Sequence, residues 1–216
     1  MKHLIPLLAI AVILSSCNQD FRSRGPISSA KRELAAFHGI SSDAVAKIIL
    51  VQDSPRFAMV TTYQNLIPGV TTEIENGILH VSMKKEFANI SNPKVTVEVH
   101  APDISEIEMS GVGSVEVKDS FRFQNISIRI DGVGSIQAAG TAKVAHLENN
   151  GTGAINASSL RADSVYAITA GVGSIECFAV TYLKASVQGI GSISYKGNPV
   201  VEKSVEGIGS IKKEKE

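Results

Sequence analysis

The fold is decided by a short phrase, Gly171-Val172-Gly173-Ser174-Ile175, which the chain uses six times with small changes. The other five copies are Gly111-Val112-Gly113-Ser114-Val115, Gly132-Val133-Gly134-Ser135-Ile136, Gly151-Thr152-Gly153-Ala154-Ile155, Gly189-Ile190-Gly191-Ser192-Ile193 and Gly207-Ile208-Gly209-Ser210-Ile211. The first glycines are residues 111, 132, 151, 171, 189 and 207, so successive copies lie 18 to 21 residues apart. A period of this size is typical of a solenoid, in which each repeat forms one coil.

The residues around each phrase alternate between apolar and polar, which is the period of a β-strand with one buried face. Counted from the first glycine as position 0, positions −4, −2, +4 and +6 are mostly apolar, and position −1 is mostly polar. Position +4, for example, holds Val115, Ile136, Ile155, Ile175, Ile193 and Ile211. A helical repeat is disfavoured because paired glycines break a helix.

Each repeat therefore predicts a strand, a glycine corner and a second strand, with successive coils stacked about 4.8 Å apart. Positions +1 and +4 both look buried, and because an offset of three breaks strand alternation, we expect the chain to turn between them. Glycine can adopt the positive φ that such a corner needs, and we expect the serines at position +3 to stack into a ladder. The predicted fold is all-β, a right-handed parallel β-solenoid of about six coils over residues 103–211.

A β-rich part without the repeat precedes the solenoid, over residues 36–102. Five stretches read as strands: 46–51, 57–62, 70–74, 78–83 and 95–100. Asn76-Gly77 between two of them predicts a hairpin, and Phe37-His38-Gly39-Ile40 is a candidate edge strand. This part is either a small separate sandwich or a set of irregular coils that begin the solenoid.

The first 17 residues predict a secretory signal, because Lys2 and His3 precede a short apolar run and then small residues. Leu14-Ser15-Ser16-Cys17 resembles the signal of bacterial lipoproteins, in which the cysteine is acylated and becomes the mature N-terminus. The resemblance implies that Cys17 anchors the chain in a membrane. Asn18 in place of Asp implies the outer membrane of a Gram-negative bacterium, on a side that the sequence does not indicate. Residues 18–35 are polar and are predicted to be a flexible tether.

Composition excludes several classes of function. The chain has 216 residues with 21 basic and 21 acidic side chains. It therefore lacks the excess of positive charge that would indicate a nucleic-acid interface. Tryptophan is absent and aromatic residues make up 5% of the chain, so platforms for stacking bases or sugars are scarce. Residues 212–216 are all charged and predict a solvated tail that blunts the open end of the solenoid.

The chain shows no catalytic or metal-binding constellation. The Gly-x-Gly-Ser phrase lacks both the Lys-Ser/Thr of a phosphate loop and the third glycine of a dinucleotide fingerprint, and it lacks the aspartate of calcium-binding β-rolls. The histidines are scattered, at His38, His80, His100 and His146. The aspartates of the solenoid share no column: they are Asp103, Asp119, Asp131 and Asp163. We predict no catalytic residues, no metal and no cofactor, and a structural role for the twelve glycines of the phrases.

Two further features have a structural and a functional interpretation. Cys177 cannot form an intramolecular disulfide if Cys17 is acylated, since the chain has two cysteines. It shares the +6 column with small apolar residues, which favours a buried hydrophobe over a reactive thiol. Glu108, Arg129 and Glu148 all stand at position −3 of successive coils. This column favours an ion ladder that stabilises the register over a ligand patch.

The mature chain resembles the domain family called "putative auto-transporter adhesin, head GIN domain" over about residues 37–211. The resemblance depends on Phe37-His38-Gly39-Ile40, on Asn76-Gly77-Ile78-Leu79-His80-Val81 leading to the run from Val95 to Pro102, and on the Ser110-Gly111-Val112-Gly113-Ser114 repeat. It implies a β-solenoid protein of the cell envelope, commonly a lipoprotein. The resemblance implies no catalytic residues, because the family supplies none. The word adhesin in the family name is weak support for an adhesive function, because fold does not imply function.

Three hypotheses about function follow. The first is a non-catalytic envelope lipoprotein that binds a protein or polysaccharide, or acts as a scaffold, through a flat β face. The second is a carbohydrate-active enzyme, a lyase or glycosidase, for which a groove with two or three carboxylates would be required. The third is a homo-oligomer formed through an edge or a face of the solenoid.

Overall fold

The computed structural model describes residues 23–87, 90, 92–118 and 121–214. It is nearly all β, with 72% of its residues in strands and 3% in helix. The signal segment and Cys17 lie outside the described residues. The described strands are β1 (Ile27–Glu33), β2 (Gly39–Ser42), β3 (Val45–Gln52), β4 (Phe57–Tyr63), β5 (Val70–Glu75), β6 (Ile78–Met83), β7 (Val95–Ala101), β8 (Glu106–Met109), β9 (Val112–Val117), β10 (Arg122–Ile130), β11 (Val133–Asn149), β12 (Thr152–Thr169), β13 (Val172–Val187), β14 (Ile190–Lys196), β15 (Val200–Val205) and β16 (Ile208–Lys213). Two short 3₁₀ helices are Ile67–Gly69 and Lys85–Phe87.

The strands form a flattened solenoid with two faces. The first face contains β6, β2, β8, β10, the C-terminal halves of β11, β12 and β13, and then β15. The second face contains β7, β3, β9, the N-terminal halves of β11, β12 and β13, and then β14 and β16. Neighbours within each face are parallel, as the repeat predicts. The long strands β11, β12 and β13 pass from the second face to the first, and β11 and β12 shift register with their neighbours there.

The six phrases stack in register on the second face. Gly173 pairs with Gly153 below it and with Gly191 above it, and the same pairing extends through Gly134 and Gly209. All six residues at position +4 are buried in the core. Because each phrase lies directly over the one before it, six phrases delimit about five turns, and the predicted β-solenoid is confirmed.

The corner lies before the phrase, at positions −1 and 0, and the prediction of a turn between +1 and +4 is wrong. The backbone N–H groups of Ala170 and Gly171 both donate to the carbonyl oxygen of Asn149 in the preceding coil, each at 2.9 Å. The same pair of bonds recurs at the other corners of the stack. Strict alternation then resumes, so that position +1 points out of the core. From the sequence alone, an aliphatic residue in a strand is predicted to be buried. The position +1 column is exposed because the corner precedes it, and only the structure shows where the corner lies.

The glycines are required because the backbones of neighbouring coils touch. A Cβ on Gly173 would overlap the carbonyl oxygen of Gly153, and a Cβ on Gly171 would overlap that of Gly151. The second glycine also adopts a φ of +150° at Gly173, in the region that side chains disfavour. The close contact recurs at every phrase, and the positive φ recurs at Gly113, Gly134 and Gly153. The predicted positive φ therefore belongs to the second glycine rather than to the corner itself.

The part before the repeats consists of irregular coils of the same solenoid rather than a separate sandwich. The β2–β3 segment pairs with β8 and β9 as one additional coil, and the β6–β7 segment pairs with β2 and β3 as another. Antiparallel strands then cover this end, β5 on β6 and β4 on β7. Gly39–Ser42 lies between two strands, so its prediction as an edge strand is wrong. The Asn76-Gly77 hairpin is confirmed, with φ of 52° and 79°.

The predicted tether extends too far into the chain. Ile27–Glu33 is a strand, β1, that pairs antiparallel with β4. The Arg32 guanidinium fastens this strand by donating to the carbonyl oxygens of Val70 at 2.7 Å and Ile67 at 2.9 Å. The predicted tail begins too early as well, because Lys212 and Lys213 belong to β16.

The column assignment gives a direct test. We expect Ile175→Asp to destabilise the fold by at least about 3 kcal/mol, because it places an unpaired carboxylate in the fully buried +4 column. Glu176→Ala changes the next residue, which points outward, and we expect it to change the free energy of unfolding by less than about 0.5 kcal/mol. Equal thermal midpoints for the two variants would contradict the assignment.

The glycine contacts give a second test. We expect Gly173→Ala to destabilise the chain by more than about 1 kcal/mol in chemical denaturation, because the new methyl group overlaps the carbonyl oxygen of Gly153 at an unfavourable φ. Ser174→Ala, the adjacent position, is the control and should change stability little. A Gly173→Ala variant as stable as wild type would show that the coils can separate at the phrase.

Candidate functional site

The first candidates for a site in the described part of the chain are groups of side chains that could hold a metal ion. Within residues 23–214, apart from those few not described, no three His, Cys, Asp or Glu side chains converge to hold an ion. No helix in the described part of the chain is long and apolar enough to cross a membrane. His80, His100 and His146 lie on three different strands, β6, β7 and β11, and His38 precedes β2.

One histidine has partners that the sequence did not reveal. His100 Nε2 lies 2.8 Å from Glu98 Oε1, and Nδ1 lies 3.3 Å from Asp53 Oδ2. The ring stacks on Phe57 with centroids 4.0 Å apart. The backbone N–H of Ser54, and then His100, lower the pKa of Asp53. With no nucleophile among these contacts, the cluster fastens β7 to β4 and to the loop between β3 and β4.

Cys177 is a buried hydrophobe, as its column predicts. Desolvation, followed by the nearby Glu214 carboxylate, raises the pKa of its thiol to about 12. The thiol Sγ lies 3.6 Å from the carbonyl oxygen of Ser194. A thiol with such a pKa is almost entirely protonated at neutral pH and is a poor nucleophile.

The outer surface of the second face carries an aliphatic ridge at position +1. The ridge consists of seven in-register residues: Val45, Val112, Val133, Thr152, Val172, Ile190 and Ile208. Its aliphatic members are between 45% and 73% exposed. Seven strands about 4.8 Å apart make the ridge about 29 Å long.

A row of small side chains, five serines and one alanine, runs beside the ridge at position +3. It contains Ser114, Ser135, Ala154, Ser174, Ser192 and Ser210, stacked in register as the sequence predicts. Charged side chains lie at both ends of the face: Glu116 contacts Lys47 and Lys118, each at 2.7 Å, and Lys196 lies 3.6 Å from Glu214 in the last coils. Hydrogen bonds from Lys118 and Lys47 lower the pKa of Glu116 to about 2. Between these ends the ridge and the row beside it make the face mainly aliphatic and hydroxylated.

The first face carries one pair of the predicted ion ladder, between Arg129 and Glu148, and Glu108 stands opposite Arg129 in the register. Arg129 Nη2 lies 3.5 Å from Glu148 Oε2, and Nη1 lies 4.0 Å from Asp131 Oδ2. The Asn150 amide donates to Asp131 and to Glu148, both at 2.9 Å. Because these charges already have partners within the sheet, they stabilise the register rather than offer a free ligand patch.

A groove lies on the first face near the last coils, and its shape follows from the size of the outward side chains. At position −3 the residues shrink from Arg129 and Glu148 to Ser186 and Ser204. The residues on either side of these serines, at positions −5 and −1, are larger, so the serines become the floor. The walls are His146, Tyr166, Lys184 and Glu202 at position −5, and Gln188 and Glu206 at position −1. The groove has a volume of about 530 Å³, which is within the usual range for ligand sites.

Aromatic rings support one wall of this groove. Tyr166 stacks on His146 with centroids 4.8 Å apart and planes 11° from parallel, and it contacts Tyr182 at 5.9 Å. Desolvation, and then a hydrogen bond with Glu202, raise the pKa of Tyr182. This wall is therefore held in place by neighbouring coils.

A second, more basic groove of about 510 Å³ lies beside the bends of the long strands. Its lining includes Arg122, Lys143 and Arg161 against the single carboxylate Asp163. The Arg161 guanidinium lies 4.2 Å from the centre of the Phe178 ring. This contact holds one of the three cations against the protein surface.

The predicted site residues and the observed surfaces do not coincide. Cys17 and Asp119 lie outside the described residues, and the twelve glycines act in the backbone contacts of the stack. Asp103 pairs with Arg56 at 2.8 Å, away from both grooves. Sequence reasoning missed the ridge because it assigned position +1 to the core. It also missed the groove. The sequence feature that could have indicated it is the change from large to small side chains at position −3 along the stack.

Comparison with known proteins gives a consistent result. The family model described as "putative auto-transporter adhesin, head GIN domain" matches residues 36–199. A putative adhesin from Bacteroides fragilis NCTC 9343 is 26% identical, with a TM-score of 0.73 over 89% of this chain and 99% of that one. Two putative adhesins share the fold: one from Parabacteroides distasonis ATCC 8503 (20% identity, TM-score 0.64, 89% and 98% covered) and one from Parabacteroides merdae ATCC 43184 (18%, 0.57, 90% and 99%). No curated protein matches the chain.

Proposed function

The chain belongs to the family described as "putative auto-transporter adhesin, head GIN domain", and on this premise we propose that it is an adhesion-like lipoprotein of the cell envelope that binds through its ridge. The family and the adhesins of similar structure support a non-enzymatic role at the cell envelope or surface. The finer parts of the proposal are the lipid anchor at Cys17, the outer-membrane address and the ridge as the binding surface.

The exposed ridge is the observation that carries the proposal. Its aliphatic side chains add nothing to the core, and exposing them to water is unfavourable unless a partner covers them. Thr152 occupies the same position in one coil, so the fold does not require an aliphatic residue there. A straight row of methyl groups beside a row of hydroxyls suits an extended partner, such as a polysaccharide or a protein strand, lying along the stack.

The distance between Cys17 and β1 supports a close attachment to the membrane. β1 begins at Ile27, ten positions after Cys17. A fully extended chain spans at most about 3.6 Å per residue, so the spacer reaches about 36 Å at most. The antiparallel end of the solenoid would then face the membrane, and the last coils would point away from it.

The groove favours a second candidate, the carbohydrate-active enzyme. Glu202 and Glu206 both line it, which meets the requirement for two carboxylates. However, they lie on opposite walls of one strand segment, and each bonds a neighbour: Glu202 bonds Tyr182, and Glu206 accepts from Ser204 Oγ at 3.3 Å. Binding without catalysis is therefore the better-supported use of the groove.

The lipid anchor can be tested by Cys17→Ser in the full chain produced in a Gram-negative host. We expect wild-type protein to incorporate labelled palmitate and to enter the detergent phase of a Triton X-114 extract. The variant should lose the label and stay in the aqueous phase. Label in the variant equal to that in wild type would contradict acylation at Cys17, and protease treatment of intact cells would then locate whichever form is present.

The ridge can be tested by retention of producing cells on mucin-coated glass. We expect Val133→Asp combined with Val172→Asp to reduce retention to the level of cells lacking the chain, because two charges interrupt the ridge. Stability should change little, since both side chains are about half exposed. Thr181→Asp, exposed on another part of the surface, is the matched control. Equal retention of ridge variant, control and wild type would exclude the ridge as the adhesive surface.

A further inference from the structure

The groove on the first face has the features of a ligand site. The proposed role of the ridge does not account for it. The floor of the groove is Ser186 and Ser204, and the partly exposed Ile168 lies at its N-terminal end, next to the larger Glu148 of the preceding coil. The groove runs along the stack axis between two walls. Its small floor is built by two successive coils, so it accommodates a chain-like ligand about as wide as one row of side chains.

The charges that line the groove are few and of both signs. Lys184 supplies a positive charge, and Glu202 and Glu206 supply two negative charges, while Lys203 stands in the inward column of the same strand. A lining of this kind does not attract a polyanion over a distance. It does present donors and acceptors close together, which is what a ligand with many neutral hydroxyl groups requires.

The groove also offers apolar surface beside these polar groups. This surface comes from Tyr166, which is 36% exposed, and Ile168, which is 38% exposed. Tyr166 stacks on His146 and makes a tilted contact with Tyr182, and these ring contacts hold the wall in place. A preformed pocket that combines rigid aromatic surface with a few convergent polar groups is the usual form of a small-ligand site.

We infer that this groove binds a neutral oligosaccharide. The hydroxyl pairs of the sugar would bond to the Lys184 ammonium, the Glu202 and Glu206 carboxylates and the floor serines, and its apolar C–H surface would lie against Ile168 and the Tyr166 edge. This site is independent of the ridge, which lies on the opposite face. The inference concerns binding and includes no bond cleavage.

The test uses the full chain and a panel of neutral hexasaccharides: cellohexaose, maltohexaose, laminarihexaose, xylohexaose and mannohexaose. Hexagalacturonate and an acidic decapeptide serve as charged probes. Binding is measured by saturation-transfer NMR and calorimetry for wild type and for Ser186→Tyr, which fills the floor. Ser41→Tyr is the matched control, because Ser41 occupies the corresponding outward row beside Glu108, several coils away. Equal thermal midpoints establish that both variants fold.

We expect at least one neutral hexasaccharide to bind wild type and Ser41→Tyr equally, and Ser186→Tyr to bind it at least tenfold more weakly. The inference is overturned if no neutral probe binds, if Ser186→Tyr binds as well as wild type, or if a charged probe binds more tightly than every neutral one. If wild type releases reducing ends from the sugar during the measurement and Glu202→Gln does not, the groove cleaves the sugar, and the inference of binding alone is overturned. Ridge variants should bind the sugar normally, so failure of the adhesion assay and failure of this test are distinguishable.

Discussion

The whole structure depends on a close contact between backbones, in which glycine lies against the carbonyl oxygen of the glycine in the coil before it. Gly153, Gly173 and Gly191 meet one after another in this way, and no side chain fits between them. The contact aligns each phrase with the one below it, since a slip of one residue would bring a Cβ against a carbonyl oxygen. Register across the stack is therefore set by steric exclusion as well as by burial of the aliphatic columns.

Fixed register turns columns in the sequence into rows on the surface. Position +1 becomes the aliphatic ridge, position +3 becomes the hydroxyl row, and position −3 changes along the stack from an ion ladder to the floor of a groove. Because the core is filled by positions −4, −2, +4 and +6, ligands can only bind on the outside. The two faces then differ in chemistry: one is flat and aliphatic, and the other contains a mixed polar groove.

The two ends of the solenoid are protected differently. At the N-terminal end, β1, β4 and β5 run antiparallel to their neighbours, and Arg32 ties β1 to the loop after β4. At the other end, two inward columns finish in exposed lysines: Lys203 follows Ala185 and Lys213 follows Tyr195 in the register. Lysine stems can cover the last apolar layer while their ammonium groups stay in water, and charge on an edge strand discourages the addition of another strand.

By itself the sequence determined the repeat, the stacked β architecture, the buried columns around Ile175 and Cys177, and the Asn76-Gly77 hairpin. These follow from local patterns: period-two alternation, paired glycines and turn-forming residues. Only the tertiary structure decided which side position +1 occupies, that Ile27–Glu33 is a strand, and that Ser186 and Ser204 form a floor. Each of these depends on contacts between residues far apart in the chain. The corner is set by N–H groups that bond a carbonyl about one coil earlier, and β1 exists because β4, about thirty residues later, pairs with it.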